Sequence, residues 1–476
     1  VNKSLAGLPD RATIAGWQAY MNQLGPRLTG TAAHQRFIEF LREQITAIGY
    51  QVETDRHYFQ KWEAEQANLH LLAADGTEQE IRVASIYPYS GMTSSQGIEG
   101  ELVYCGKGKG SYKHARGKIA VVEVAVWPLP TTLLMKQRAV FPDDAKLSFF
   151  LQNPVLQSFL GVPDLKKATE AGALAVIGIW RNISTANARD QYLPFGNDYQ
   201  GLPGVWVDRE AREALLEGIS KKKRARLTLS ASLQEQAASE TIYAVVPGKT
   251  DKEVILVNTH TDGPNGIEEN GGLGMLAMMH FLRNQAEKPE RTMLFVFVTG
   301  HFQLEQFGLN HRQATSRWLR DHPELWEGKE GHARAVAGLT LEHLGCMEWS
   351  DNRDKTDFLP TGRIAPELVY TANKELAALY LQALQGRKKV RTVLLRPRNR
   401  IYFGEGQPLF QEGIPTVSLI PGPDYLCTAP DHAEADKIDG ELMYEQIETF
   451  AKLMMELDKT SVDKIGKVEP ESFGIW

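Results

Sequence analysis

The spacing of hydrophobic positions changes character along this chain, and each change marks a different element. From Asp10 to Leu24 and from Ala32 to Ile48 apolar residues recur at helical intervals, with Phe37, Phe40, Leu41, Ile45 and Ile48 on one face. Gly49 then ends the second helix. Alternation follows in QVETD and ANLHLLAA, the latter running into Asp75-Gly76, a turn pair that predicts a hairpin. Between residues 97 and 235 short apolar runs such as GKIAVVEVAVW and ALAVIGIW are separated by glycines and small helical stretches, which predicts an inserted β-rich module. After TIYAVVPG, strand and helix patterns alternate to about residue 460, as in a wound α/β domain. The expected organisation is a discontinuous α/β domain (1–96 and 236–460), the module at 97–235, and a tail at 461–476 docked by Phe473, Ile475 and Trp476.

Three apolar runs end on residues able to bind a metal or move a proton: EVILVNTH at His260, RTMLFVFVTGH at His301 and ARAVAGLTLE at Glu342. In an open α/β sheet the carboxyl ends of the strands line the ligand crevice, so these side chains are expected to converge there.

Composition narrows the partners. A net charge of -6 leaves no global basic field, which argues against nucleic acid or an anionic membrane and favours a small-molecule or peptide substrate. No apolar stretch approaches the roughly 20 residues needed to cross a bilayer. Cys105, Cys346 and Cys427 are too few and too scattered for a disulfide framework or a thiolate zinc cluster. The chain opens on Val1 rather than methionine, which points to a removed leader or a trimmed terminus. The compartment is not readable from these features.

The densest chemistry lies in HTDGPNGIEENGG, residues 260–272. A histidine ligand needs an oxygen on its other ring nitrogen, and Asp262 is placed to supply it for His260. Glu268 and Glu269 would add oxygen ligands, or else cap the helix that starts near Gly271.

This segment resembles the metal-binding core of the zinc aminopeptidase and glutamate carboxypeptidase family. The opening GPRLTGTAAHQRFIEFLREQITAIGYQVE is similar to the start of the same family, and 97–235 resembles its protease-associated domain. The resemblance implies a three-layer αβα sandwich with a mixed, mostly parallel sheet. It also implies metal ligation by His260, Glu269 at the bridging position, and Glu342, and it leans toward an extracytoplasmic location. The departures are specific. Where the family carries paired glutamates, the chain has His301-Phe302, and phenylalanine offers no lone pair. Where the family has its last histidine, the chain has Leu426 or Cys427, with His432 displaced. At most one zinc or similar ion is therefore expected, and a metal-free site is a further alternative.

Candidate catalytic residues are His301, Glu268 and Glu405. His301, with an ordinary pKa of about 6.5, would take a proton at neutral pH. Glu405, in FGEGQPLF, would act as a second acid or bind an amine. If the strand ending at Glu342 persists, His343 points to the opposite face. Arg391, Arg396, Arg398 and Arg400 form a candidate anion-binding group, and KKKRAR at 221–226 reads as a solvated charge run. Three functional readings follow: a single-metal hydrolase of an amide or related bond, a non-catalytic protein used for binding or assembly, including homo-oligomers, and single-metal acyl transfer or elimination.

Overall fold

The computed structural model describes residues 5–73, 75–398 and 401–470. Phe473, Ile475 and Trp476, expected to dock the tail, and Arg400 of the arginine group lie outside the described residues.

Fifteen strands form one mixed sheet among the described residues. In chain order they are β1 (Val52–Leu72), β2 (Glu78–Ile81), β3 (Ser85–Ile86), β4 (Ile98–Lys107), β5 (Lys118–Ala125), β6 (Lys136–Phe141), β7 (Ala175–Arg181) and β8 (Gly204–Val207). They continue as β9 (Arg224–Val246), β10 (Thr250–His260), β11 (Arg291–Val298), β12 (Arg334–Leu341), β13 (Glu367–Thr371), β14 (Thr392–Arg396) and β15 (Thr416–Leu419). The spatial order is β3-β8-β7-β5-β4-β9-β11-β10-β12-β15-β13-β14-β6; off this path β1 pairs with β9, and β2 pairs with β1. Residues 52–55 of QVETD and 67–72 of ANLHLLAA belong to one strand, β1, which is followed by a turn at Asp75-Gly76 and pairs with β2 from Leu72 opposite Glu78.

The principal helices are α1 (Arg11–Gln23), α2 (Ala32–Ala47), α3 (Gly271–Arg283), α4 (Thr315–Asp321), α5 (Lys374–Ala383) and α6 (Gly440–Lys459). Asp10, Thr31 and Asp439 cap α1, α2 and α6 by accepting from backbone N–H groups. Strand alternation explains the layering. On β10 and β11, Ile255, Val257, Met293, Phe295 and Phe297 join the core shared with α1, α2, α3, α5 and α6. Their neighbours Val254, Leu256, Leu294, Val296 and Val298 face the opposite way, onto Trp318 and Leu319 of α4. Helices thus cover both faces, as the three-layer expectation requires.

The strands of 97–235 do not close on themselves. The 23-residue strand β9 pairs with β4 near its start and with β11 near its end, so β4, β5, β7 and β8 extend the central sheet. Strand β6 leaves that group altogether and pairs antiparallel with β14 at the far edge. The basic run at 221–226 lies partly in β9, where Arg224 and Arg226 pair with Glu99. Residues 461–470 are packed rather than free: Ile465 is buried, and Glu469 pairs with Arg138 at 2.8 Å. No helix among the described residues is long and apolar enough to cross a membrane.

Candidate metal centre and active site

Strands β11, β10, β12 and β15 run parallel in the middle of the sheet, so their carboxyl ends open at one rim. His260 is the last residue of β10, His301 lies three residues past β11, and Glu342 directly follows β12. All three are buried at that rim together with Glu268, His343 and Glu405. Two glycines shape it. Gly300 holds φ +94° against the Phe307 ring and starts the turn that delivers His301. Gly404, at φ +81°, lets the backbone pass beside the Glu342 carboxylate, where the Glu405 N–H donates to Glu342 Oε1.

The three histidines share one orientation. His260 Nδ1 lies 2.8 Å from the Asp262 carbonyl, His343 Nδ1 2.6 Å from the Pro421 carbonyl, and His301 Nδ1 2.6 Å from Glu405 Oε1. Carbonyl oxygens only accept, so Nδ1 of His260 and of His343 carries the proton, and a carboxylate partner imposes the same on His301. Each Nε2 is thereby turned inward. His260, Glu268 and His301 bring ligand-type atoms within 4.8 Å of one another, and so do His260, Glu342 and His343. The imidazoles of His260 and His301 stack 4.1 Å apart, and His343 Nε2 lies 3.0 Å from Glu268 Oε2. Among the described residues, His260 Nε2 and Glu342 Oε2 are buried with no hydrogen-bond partner.

Electrostatics follow from burial and from this crowding. Burial, with the neighbouring His301 and His343, holds His260 well below the usual histidine range, so it is neutral. Burial also opposes charge on His301, but the Glu405 hydrogen bond and the carboxylates of Glu405, Glu342 and Glu268 raise it to about 9. That direction favours the protonated form of His301, the opposite of the proton-accepting imidazole expected there. Burial pushes Glu342 up to about 7 against the pull of His343 and His301.

Other expected roles change with the geometry. Glu269 does not face the cluster. Its carboxylate is ion-paired with the buried Arg27, which also donates to the Met21 and Asn265 carbonyls at 2.8 and 2.5 Å. Asp262 supports His260 through its carbonyl rather than its carboxylate. The carboxylate instead accepts from Thr29 Oγ1 (2.5 Å) and the Phe302 N–H (2.9 Å), fixing the turn that carries His301. The carboxylate of Glu405 accepts from His301 Nδ1 and from the N–H groups of Ala314 (3.2 Å) and Thr315 (2.8 Å), so it positions His301 instead of facing substrate. His343, expected on the far face, joins the cluster because β12 ends at Leu341 and His343 turns to φ +56°. The Gly345 that follows shortly was the available signal for that turn. His432 is exposed, Cys427 is buried, and the Phe302 ring packs on Phe195 with centroids 4.8 Å apart. Of the arginine group, Arg391 reaches the rim but is paired with Glu348 at 2.7 Å.

A cavity of about 410 Å³ opens over Glu268, His301 and His343. Its far wall is apolar and comes mainly from Leu147, Phe150, Leu151, Leu156, Phe159 and Phe195.

No protein-family model matches the chain. No curated protein matches it by sequence. Solved structures do. A zinc aminopeptidase from Bacillus subtilis superposes with a TM-score of 0.63 at 18% identity, over 97% of this chain and 98% of the other. An aminopeptidase from Aneurinibacillus sp. strain AM-1 gives 0.59 at 16% identity, over 94% and 93%. A Peptidase M28 precursor from Shewanella amazonensis SB2B gives 0.62 at 15% identity, over 97% and 98%. The chain shares the fold of these proteins over essentially its whole length.

Proposed function

We propose that this protein is a hydrolase of an amide or related bond in a peptide or small molecule, acting with one divalent ion, zinc by preference. The observation that carries this reading is the common orientation of three buried imidazoles, with Nδ1 tied to oxygen and Nε2 turned toward Glu268 and Glu342. Such outer oxygens are what orient histidine ligands in metal sites, and mixed imidazole and carboxylate donors suit zinc. The unpartnered His260 Nε2 and Glu342 Oε2 fit such an ion. We assign the ion to His260, Glu342 and His343, whose ligand-type atoms lie within 4.8 Å of one another and include the unpartnered His260 Nε2 and Glu342 Oε2. His260 belongs to both candidate triads and has one free nitrogen, which supports a single ion rather than two.

A bound divalent ion would supply Lewis acidity to the substrate carbonyl. The remaining roles fall to the chain. Glu268, facing the cavity, is the base that takes a proton from attacking water. His301, held by Glu405 and carrying a proton, is the donor to the departing group. The apolar wall from 147–195 favours a substrate with a hydrophobic side chain. The aminopeptidase neighbours support the same class of reaction.

The test is hydrolysis of a panel of aminoacyl and peptidyl anilides by zinc-loaded protein. Turnover is expected on substrates with apolar side chains, abolished by chelation, and lost in Glu268→Gln with zinc still bound. A fully loaded protein that turns over none of them would refute the enzymatic reading.

A further inference from the structure

Large hydrophobic side chains stand exposed at twelve places among the described residues, and seven of them fall between residues 127 and 160. That segment is built as one unit. Leu129 and Pro130 pair antiparallel with Leu151 and Phe150, and the Thr131 N–H donates to the Phe149 carbonyl at 2.9 Å. Gln157, on the short helix Pro154–Leu160, accepts from the Trp127 N–H at 3.4 Å. Phe149 and Phe150 meet edge to face with centroids 4.8 Å apart, and Phe159 meets Phe195 in the same way at 5.7 Å.

Two of the exposed rings belong to the candidate active site as well. Phe150 (53% exposed) and Phe159 (58% exposed) line the cavity over Glu268 and His301, beside the half-buried Leu147, Leu151 and Leu156. The apolar wall of the cavity therefore continues onto the outer surface. Exposed apolar surface of this kind marks a contact kept for another molecule, and here it is continuous with the place where a substrate binds.

The polar side chains that this segment gives the cavity are mostly engaged. Thr131 Oγ1 donates to the Ser148 carbonyl at 2.6 Å, and Gln152 Nε2 donates to the carbonyls of Val126 (2.8 Å) and Asn182 (2.7 Å). Gln152 Oε1 accepts from Lys355 Nζ at 2.9 Å. Asn153 Nδ2 donates to the Gly422 carbonyl (3.2 Å) and to Asp424 Oδ1 (3.0 Å), while its Oδ1 accepts from the Leu156 N–H (3.1 Å). An extended peptide laid on this wall would find one further side-chain partner, Ser148; a hydrocarbon chain needs none. The charges of the lining come from other elements: Glu348, Asp351, Lys355 and Arg363 from the hairpin of strands Met347–Asp351 and Phe358–Ile364, Arg391 from the start of β14, and Asp424 from beyond β15. Arg363 and Arg391 both hold Glu348, at 2.8 and 2.7 Å, and Lys355 lies 3.7 Å from Asp351.

We infer that the substrate is an amphiphile, an amide carrying a hydrocarbon chain longer than the cavity. The far end of the chain lies across Phe150 and Phe159, and the charged part of the lining faces the polar end. This rests on the cavity being the active site, as proposed above.

The test is calorimetric binding of N-methylbutanamide, N-methylhexanamide and N-methyldecanamide to the full-length, zinc-loaded protein. Affinity is expected to rise roughly two- to fourfold per added methylene through the longest chain, as burial of hydrocarbon dictates. Phe150→Ser and Phe159→Ser change rings that are more than half exposed, so the fold does not depend on them. Each is expected to weaken N-methyldecanamide about fivefold or more and N-methylbutanamide little, while Tyr58→Ser, exposed on β1 outside the cavity, changes neither. Flat affinity across the series, or equal losses for short and long chains in the phenylalanine variants, overturns the inference. So does a dimer in sedimentation that Phe159→Ser dissociates, which would give the surface to a second copy, or retention on phosphatidylcholine vesicles that the same variant abolishes, which would give it to a lipid surface. Binding requires no turnover, so a protein that recognises chain length and cleaves no amide supports this inference and refutes the hydrolase reading alone. One that cleaves short amides with flat affinity refutes this inference alone.

Discussion

Glu269 delivers its carboxylate into the guanidinium of Arg27, and both side chains are fully buried. The glutamate beside it, Glu268, is the one that faces the cavity. Adjacent residues in one turn thus divide the labour: one neutralises a buried arginine that ties the 25–27 loop to the 263–269 turn, and the other serves the site. Glu269→Gln is expected to leave zinc stoichiometry unchanged while lowering stability by about 3–5 kcal/mol, because it strands the Arg27 charge inside the protein. Denaturant unfolding and elemental analysis on the same variant check both halves. Loss of the metal without loss of stability would return Glu269 to the ligand set.

His343 and His432 offer a direct contrast. His343→Ala removes an inward-facing Nε2 and is expected to weaken zinc binding on the order of 100-fold or more, beyond the loss usual for outer-shell changes. His432→Ala alters an exposed side chain and is expected to leave affinity unchanged. Competitive zinc titration of the two variants decides the matter.

Much of this arrangement was legible in the sequence. The runs ending at His260, His301 and Glu342 marked parallel strands, and a parallel sheet has only one rim at which their carboxyl ends can meet. What stayed hidden depended on partners distant in the chain. Nothing within 260–272 tells Glu268 from Glu269, because the distinction is made by Arg27, 242 residues away. The occupation of Glu405 by the N–H groups of Ala314 and Thr315 is equally remote. His343 was misplaced for a local reason: period-two alternation holds only while the strand lasts, and β12 stops two residues earlier. The continuous sheet through 97–235 was also hidden, since apolar runs do not reveal that β9 is long enough to pair on both sides of the junction.

Glu405 acts on His301 rather than on substrate. Glu405→Gln retains the shape but replaces one acceptor oxygen with a donor, which cannot satisfy the N–H groups of Ala314, Thr315 and His301 together. Turnover is expected to fall about 10- to 100-fold, the range for loss of an orienting partner, with zinc content unchanged. Steady-state kinetics and metal analysis of the purified variant check this.

Away from the metal cluster, Asp424 gives the fold a pH dependence of its own. Burial, and then the nearby Asp351, raise it from 3.8 to about 7, although Asn187 and Asn153 donate to it. The folded chain therefore holds a proton that the unfolded chain has released between about pH 4 and pH 7, so this group makes stability fall as pH rises through that window. The slope it contributes is at most about 1.4 kcal/mol per pH unit. Asp424→Asn is expected to flatten the decline and to be the more stable protein at pH 8, measured by denaturant unfolding with chelator present. Parallel profiles for the two proteins would contradict the assignment.

Two imidazoles and one carboxylate, those of His260, His343 and Glu342, are the proposed holders of a single cation. The direct measurement is elemental analysis of protein purified without chelator and then dialysed against zinc, paired with anomalous diffraction at the zinc edge. One ion per chain, with its density among His260, Glu342 and His343, is the predicted result. Two neighbouring ions, or a chain that keeps none after zinc is supplied, would contradict it.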